Sequence, residues 1–174
     1  MTRPDRLWTR RSLMDNLKLQ TVYARNCEVR RIDKAAAADF IGRCHRMGYT
    51  TGRYHFALFV KRRTGAAEAG LDAGAMVAAA SFSQARKWIK DGREVRSYEW
   101  VRYCSLPDVR VVGGMGKILE EFISRVRPDD VMTYCDPRWS DGDAYRALGF
   151  VPEGEKDFGD FKSVKMRLKL TDYD

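Results

Sequence analysis

The sequence has few of the residues that build metal or disulfide sites. Its 174 residues include 2 histidines and 4 cysteines. The cysteines are widely spaced and form no CxxC pair, so neither a zinc ribbon nor a dithiol redox motif is supported. We expect Cys27, Cys44, Cys104 and Cys135 to be buried, reduced thiols, as free cysteines usually are.

Long apolar stretches are also missing. The run from Gly74 to Ala80 is among the longest, and it is far shorter than the roughly 20 residues that cross a bilayer. The segment from Met1 to Gln20 is charged and lacks the apolar core of a signal peptide. The sequence therefore predicts a cytoplasmic protein with no membrane partner.

Positive charge is in excess, because 32 Lys and Arg residues face 24 Asp and Glu residues, for a net charge of +8. This balance favours polyanionic partners such as nucleic acid or acidic cofactors, although some basic domains bind nothing charged. The hydrophobic fraction of 44% is enough for a packed core. At this length we expect a basic N-terminal arm over residues 1–20 and a single domain over residues 21–174.

Local patterns predict a mixed α+β domain with the order β-α-β-β-β-α-β-α-β. Runs rich in β-branched and aromatic residues predict strands, and apolar residues at helical spacing predict helices. The predicted strands are 21–31, 54–63, 75–83, 97–106, 131–135 and 163–170. The predicted helices are 35–46, with Asp33 as N-cap and Gly48 as stop, 117–126 and 141–148. Residues 64–72 are predicted to be a turn and residues 84–96 a basic loop.

A glycine-rich turn, Val112-Gly113-Gly114-Met115-Gly116-Lys117, precedes the second predicted helix. A helix start leaves backbone N–H groups unpaired and carries partial positive charge, so it binds phosphate where glycines permit close approach. A pyrophosphate would suit this turn, with Arg110 and Lys117 adding charge. The turn matches neither the P-loop nor the GxGxxG fingerprint, and glycines also serve turns that bind nothing.

Together with Tyr145-Arg146-Ala147-Leu148-Gly149-Phe150, this turn resembles the GNAT acyltransferase superfamily, whose element order fits Tyr23 to Leu170. The family loop, Q/R-x-x-G-x-G/A, fits Val111 to Gly116 only with Val111 in first place. The resemblance implies the GNAT fold, a mostly antiparallel sheet splayed between its fourth and fifth strands, with helices on both faces. It also implies acetyl-CoA or a related acyl-CoA as donor. The implied contacts are Ser105, Leu106, Arg110, Val112, Gly113, Gly114, Met115, Gly116 and Lys117.

Four strings, in order along the chain, resemble a narrower phage-associated set, the Mom-like DNA-modification group. They are His45 to Gly48, Tyr98 to Pro107, Val111 to Gly114 and Tyr134 to Gly142. The resemblance implies acyl-type modification of the adenine N6 amino group in double-stranded DNA, which protects the DNA from restriction. It also implies iron. Two alternatives stay open, an N-acetyltransferase for a protein, tRNA or small-molecule amine, and a non-catalytic nucleic-acid-binding module. A homodimer is also compatible with the sequence.

Four residues are candidates for catalysis. Asp136 follows a predicted buried strand, where it would act as a base, orient an amine or pair with Arg138. Tyr145 would return a proton to the departing thiolate, or serve as a core aromatic. Glu99 shares a predicted strand face with apolar Val101, which favours a buried base, or it forms a surface salt bridge. Ser140 would line the site or cap the following helix.

Metal and nucleic-acid contacts are predicted from residue type. His45 and Asp136 would be ligands of iron, whereas a helix-end histidine bonded to backbone is the alternative for His45. Cations interleaved with tryptophan suit phosphate contact and base stacking. The residues concerned are Arg86, Lys87, Trp88, Arg138 and Trp139, and the string Trp8-Thr9-Arg10-Arg11 is similar. Alternatively, these stretches are ordinary solvated surface.

Overall fold

The computed structural model describes residues 20–61 and 71–173. The predicted basic arm, including the string from Trp8 to Arg11, lies outside the described residues except for Gln20. Residues 64–70 of the predicted turn lie outside them as well.

The described residues form ten strands and three α-helices. The strands are β1 (Gln20–Tyr23), β2 (Cys27–Arg31), β3 (Tyr54–Val60), β4 (Met76–Phe82), β5 (Arg86–Lys90), β6 (Arg93–Ser105), β7 (Val109–Val112), β8 (Asp130–Cys135), β9 (Val151–Asp157) and β10 (Lys162–Lys169). The helices are α1 (Lys34–Cys44), α2 (Gly114–Val126) and α3 (Asp143–Ala147), and a 3₁₀ turn spans Ala24–Asn26.

The main sheet is mixed and mostly antiparallel, as predicted. Its strand order is β2-β3-β4-β6-β8-β10-β9, and β5 pairs with β6 beside this path. All of these pairs are antiparallel except β6–β8. A separate two-stranded parallel sheet joins β1 to β7 and leads the chain into α2.

The β6–β8 pair holds over only three residue pairs. These run from Ser97 opposite Asp130 to Glu99 opposite Met132. Because β6 continues to Ser105 and β8 to Cys135, the two strands separate beyond this point. The predicted splay between the fourth and fifth strands of the sequence analysis is thereby confirmed.

Helices cover both faces of the sheet, also as predicted. On one face, Phe122 of α2 stacks on Phe82 with ring centroids 3.9 Å apart. On the other face, Phe40 and Ile41 of α1 pack with Cys104 in a second apolar cluster. The four cysteines are buried and form no disulfide, as expected. Burial raises the pKa of Cys104 to about 12, so this thiol stays protonated and unreactive.

The predicted basic loop at 84–96 is wrong, because the chain there forms a hairpin of β5 and the start of β6. All five residues of β5 are exposed, so no apolar alternation marks the strand. The overlooked signal is Asp91-Gly92, whose φ angles of +48° and +76° make a tight hairpin turn. The equally exposed strand β9 was missed for the same reason.

Several predicted boundaries also shift. Strand 21–31 is interrupted by the 3₁₀ turn. Asp33 caps α1 as predicted, since its Oδ1 accepts the Ala36 N–H at 2.7 Å, but the helix ends at Cys44 because His45 is extended. Helix α2 begins at Gly114, three residues earlier than predicted, so most of the glycine-rich turn belongs to its first turn.

Candidate active site

The separation of β6 and β8 opens a cavity of about 160 Å³, which we name the splay cavity. Strand ends and the turns beside them supply most of its walls, and α3 contributes Tyr145. The splay cavity brings together five residues predicted from the sequence, namely His45, Asp136, Trp139, Ser140 and Tyr145. It brings in Arg46, Arg102 and Thr133 as well, which sequence reasoning did not select.

Tyr145, which the sequence analysis selected as a candidate general acid, lines the splay cavity. Its ring is held edge-on by Trp100 at 5.7 Å and Phe150 at 5.6 Å between centroids. Thr133 lines the same cavity, and its hydroxyl donates to the Trp100 carbonyl at 3.0 Å. Burial raises the pKa of Tyr145, so the phenol is protonated at neutral pH, which is the form that can donate a proton.

Asp136 is held in an ion pair, one of the alternatives that the sequence left open. The Arg138 side chain donates to both carboxylate oxygens, with Nη2 2.7 Å from Oδ2, and the Arg138 N–H donates to Oδ1 at 3.0 Å. Burial alone would raise the pKa of Asp136, but the bonds from Arg138 and the charges of Arg138 and Arg46 outweigh it and lower the pKa. Such a carboxylate is a weak base and is better suited to orienting its neighbours.

Ser140 serves the turn before α3, although it is not the N-cap. Its Oγ accepts the Gly142 N–H at 3.1 Å, and its carbonyl accepts the Cys135 thiol at 3.5 Å. The N-cap is Gly142, whose φ of +81° favours glycine. Ser140 therefore holds the cavity wall in place.

A bulge at Val101 changes which side chains of β6 share a face. Arg102 lies opposite Ser81 and Trp100 opposite Phe82, so Val101 has no partner on β4. As a result the rings of Trp100 and Tyr103 meet at 6.2 Å on one side of the sheet. Beyond Trp100 the alternation of β6 is therefore shifted by one residue, so Tyr103 and not Arg102 shares the face of Trp100.

Glu99 lies just before this bulge and does not line the splay cavity. It is half-buried and lines an adjoining opening of about 270 Å³, which we name the aromatic cleft. Tyr134, Lys156, Phe158 and Phe161 also line this cleft. The two openings share walls, which are Met47, Val101, Arg102, Tyr134 and Asp136. A group entering the cleft is thus brought next to the splay cavity.

The glycine-rich turn forms an open ledge of about 420 Å³ beside β1, lined by Val112, Gly113, Gly116 and Lys117 among others. Gly113 has φ of +78°, which favours glycine, and it precedes the free N–H groups at the start of α2. A Cβ on Gly114 would lie 2.6 Å from the Tyr103 hydroxyl, so this glycine is required by packing. Part of the glycine signal is therefore structural.

Of the remaining predicted contacts to the acyl-CoA, only Lys117 lines this ledge. The Lys117 ammonium donates to the Ala24 carbonyl at 2.8 Å and to that of Cys27, so it ties α2 to the 3₁₀ turn. Arg110 is exposed on β7, and Met115 is half-buried against the core. Ser105 donates to the Val109 carbonyl at 3.1 Å, and Leu106 is half-buried between the two apolar clusters.

His45 is the helix-end histidine bonded to backbone that the sequence left as an alternative. Its Nδ1 accepts the Met47 N–H at 3.0 Å, so the proton of the neutral ring is on Nε2. A histidine that binds a metal through Nε2 needs that nitrogen free of its proton. The described residues also contain no group of three or more His, Cys, Asp or Glu side chains placed to hold a metal. The donor set therefore does not fit iron.

The ionisation of His45 gives a testable pH dependence. Burial, together with Arg102 and Arg46, lowers the pKa of His45 from 6.5 to about 4. The unfolded chain binds this proton at a higher pH than the folded chain does. The contribution of neutral His45 to the stability of the fold is therefore complete above pH 6.5 and is lost as the pH falls towards 4. We expect the ring resonances of His45 in an NMR titration to change near pH 4, and a midpoint near 6.5 would contradict this environment.

The predicted nucleic-acid contacts lie in two separate places. Arg86, Lys87 and Trp88 are exposed on β5, where Lys87 pairs with Glu94 at 3.2 Å. Arg138 and Trp139 lie by the splay cavity instead. The Trp139 ring is covered by the Arg46 guanidinium at 3.5 Å from its centroid, so a base would have to displace this cation in order to stack on that face.

No family profile and no curated protein match this sequence. The fold does match solved structures. The ribosomal-protein-S5-alanine acetyltransferase of Vibrio fischeri is 14% identical with a TM-score of 0.56, covering 86% of this chain and 96% of that one. An acetyltransferase assigned to the GNAT family from Desulfovibrio desulfuricans is 15% identical with a TM-score of 0.52, covering 83% and 99%. The chain has the GNAT fold.

A third GNAT-fold match is the Arabidopsis thaliana protein NAA60, solved in complex with acetyl-CoA. It is 10% identical with a TM-score of 0.54, and the match covers 83% of this chain and 99% of that one. The described residues contain no helix long and apolar enough to span a membrane. The prediction of the GNAT fold is confirmed. The cytoplasmic location and the homodimer stay predictions.

Proposed function

We propose that the protein is an acyltransferase that moves an acyl group from an acyl-CoA to an amine. The observation that carries this proposal is the splay cavity, which places a protonated tyrosine beside the gap between β6 and β8. Val112, Gly113 and Gly116 would hold the donor pyrophosphate on the ledge. The bound donor would supply an activated acyl group.

The residues of the chain would then divide the proton transfers between them. Glu99, on the cleft side, would accept a proton from the attacking amine as the new C–N bond forms and the C–S bond breaks. Tyr145 would give its proton to the departing sulfur. Solvent would then take the proton from Glu99 and give a proton back to Tyr145. The net products are the acylated amine and the free thiol.

We further propose that the amine is the N6 amino group of adenine in double-stranded DNA, as in the Mom-like group. The sequence strings that resemble this group fall on the site, since His45, Asp136, Trp139 and Ser140 all line the splay cavity. A net charge of +8 and the exposed cations of β5 support a polyanionic acceptor. Metal chemistry is not part of this proposal.

The test is co-expression with plasmid DNA, digestion of the DNA to nucleosides and mass spectrometry. We expect a deoxyadenosine of increased mass with the native chain. With Glu99→Ala we expect no deoxyadenosine of increased mass, and the melting temperature of this variant should equal that of the native chain. Unmodified DNA from the native chain would contradict the DNA acceptor.

A second acceptor class is favoured by one comparison. The Vibrio fischeri protein of the same fold acts on the alanine of a ribosomal protein. If the plasmid DNA is unmodified while purified protein releases free CoA from acetyl-CoA in the presence of peptides, we would assign the chain to protein or small-molecule amines.

A further inference from the structure

We propose that the aromatic cleft binds a nucleobase that carries an exocyclic amine and has been displaced from its strand. This inference deepens the proposed DNA function and rests on it. It concerns Tyr134, Lys156, Phe158 and Phe161, none of which the sequence analysis selected. A base inside a duplex must leave the stack before an enzyme can reach its amino group, so such an enzyme needs a pocket for the planar ring.

The turn between β9 and β10 provides that pocket with aromatic walls. The rings of Phe158 and Phe161 stack with centroids 5.3 Å apart and planes at 18°, and Tyr134 meets Phe158 edge-on at 5.3 Å. Phe158 is 43% exposed, which is unusual for a phenyl ring in a cluster. Stacked aromatic side chains with exposed faces are the means by which proteins hold single bases.

In this structure cations occupy the ring faces. The Lys156 ammonium lies 4.9 Å from the Phe158 centroid, and the Arg138 guanidinium lies 4.2 Å from that of Phe161. An exposed cation–π contact is worth less than stacking of a base on the same ring. A base can therefore replace Lys156 over Phe158, and the released ammonium remains close enough to bind a phosphate.

The charge around the cleft favours a nucleic acid over a protein amine. Arg102 and Lys156 line the cleft, and Arg46 and Arg138 lie around Asp136 at its edge. Asp136 is already neutralised by Arg138. A strand with phosphates on either side of the base complements these cations, whereas a lysine ammonium or a protein N-terminus would be repelled.

Glu99 supplies the group that would recognise the amine. It is half-buried in the cleft, and within the described part of the chain its carboxylate accepts no hydrogen bond and forms no ion pair. A carboxylate in this position can accept a hydrogen bond from a group in the cleft, and an exocyclic amino group is such a donor. Because the cleft shares walls with the splay cavity, an amine bonded to Glu99 lies next to the site of acyl transfer.

The test measures binding of three short single-stranded oligonucleotides by fluorescence anisotropy at one salt concentration. They share a thymine sequence and differ at one central position, which holds adenine, unsubstituted purine or an abasic sugar. We expect adenine to bind about tenfold more tightly than the abasic site. We expect it to bind severalfold more tightly than purine, which lacks the amino group.

Variants assign these preferences to the cleft. Phe158→Leu should remove most of the preference for adenine over the abasic site, and Glu99→Gln should reduce only the preference for adenine over purine. Lys156→Gln should weaken all three strands similarly. Phe59→Leu, at a half-buried phenyl ring under Arg30 on β3, is the matched control and should change no preference.

Equal binding of the three strands by the native chain would overturn the inference, and so would an unchanged preference in Phe158→Leu. These outcomes are distinct from failure of the proposed function. A native chain that prefers adenine but leaves plasmid DNA unmodified would support the cleft and contradict the acyl transfer. Modified DNA together with equal binding of the three strands would support the acyl transfer and contradict the role of the cleft.

Discussion

Replacing Tyr145 by phenylalanine is expected to lower the rate of acyl transfer by about 10²–10⁴-fold, the usual contribution of a positioned general acid. The substitution removes only the hydroxyl of a residue that lines the splay cavity. The ring contacts with Trp100 and Phe150 do not depend on that hydroxyl, so the fold and the binding of acetyl-CoA should be kept. The measurement is the rate of CoA release with DNA as acceptor, beside calorimetric titration with acetyl-CoA.

Tyr54→Phe is the matched control for this result. Tyr54 packs against Tyr98 and Phe122 in the core and lines neither the splay cavity nor the aromatic cleft. Its loss of a hydroxyl should leave the rate within about twofold, since no proton transfer involves it. If the two variants lose activity equally, Tyr145 is not the acid.

The pH dependence separates a general acid from a residue that only packs. Burial raises the pKa of Tyr145, so the native chain should keep the protonated form as the pH rises through the ordinary range of tyrosine. A rate that falls at high pH in the native chain, but is flat and low in Tyr145→Phe, would identify the phenol as the titrating group.

The helices and strands were predictable where one face is buried, because burial then requires apolar residues at regular spacing. Both the apolar spacing in α2 and the cap residue Asp33 of α1 are local signals. The structure contains both of the helices that these signals predict. Strands β5 and β9 were missed because every residue in them is exposed, so no alternation records the face on which they lie. The splay came from family resemblance and not from local pattern.

The site was predictable in its members and less so in their roles. Asp136 and Tyr145 were selected and do meet in the splay cavity. The bulge at Val101 could not be foreseen, because period-two alternation assumes an unbroken ladder. The Trp139 ring, which was predicted to stack on a base, lies under the Arg46 guanidinium. The exposed aromatic ring is that of Phe158, which stacks on the half-buried ring of Phe161. A Phe-x-x-Phe turn between two strands was the signal available for them.

The second large effect concerns the ion network that closes the sheet below the splay. Asp130 is fully buried and opposes Ser97 in the first β6–β8 pair. Its Oδ1 accepts from Arg167 Nη1 at 2.6 Å and from Ser97 Oγ at 2.5 Å, and its Oδ2 accepts the Tyr173 hydroxyl. Arg167 is itself only 12% exposed, so it has little access to water as a substitute partner.

Asp130→Ala is therefore expected to destabilise the fold by about 3 kcal/mol. It removes one of the two carboxylates that pair with the largely buried Arg167, which keeps Glu153 at 2.7 Å. It also leaves the Ser97 and Tyr173 hydroxyls without their acceptor. For a chain of this length that destabilisation corresponds to a melting temperature lower by roughly 10 °C.

Asp39→Ala is the control, since Asp39 pairs with Arg43 on the surface of α1 and its side chain is 67% exposed. That pair should contribute about 0.5 kcal/mol or less.

Thermal unfolding followed by circular dichroism measures both variants. If Asp130→Ala lowers the melting temperature no more than Asp39→Ala does, the buried network does not hold the strands together. The pairing of Ser97 with Asp130 is the first of the three residue pairs that hold β6 and β8 together before the strands separate beyond Glu99 and Met132. We therefore expect Asp130→Ala to weaken acetyl-CoA binding even below its melting temperature, whereas Asp39→Ala should leave the affinity unchanged.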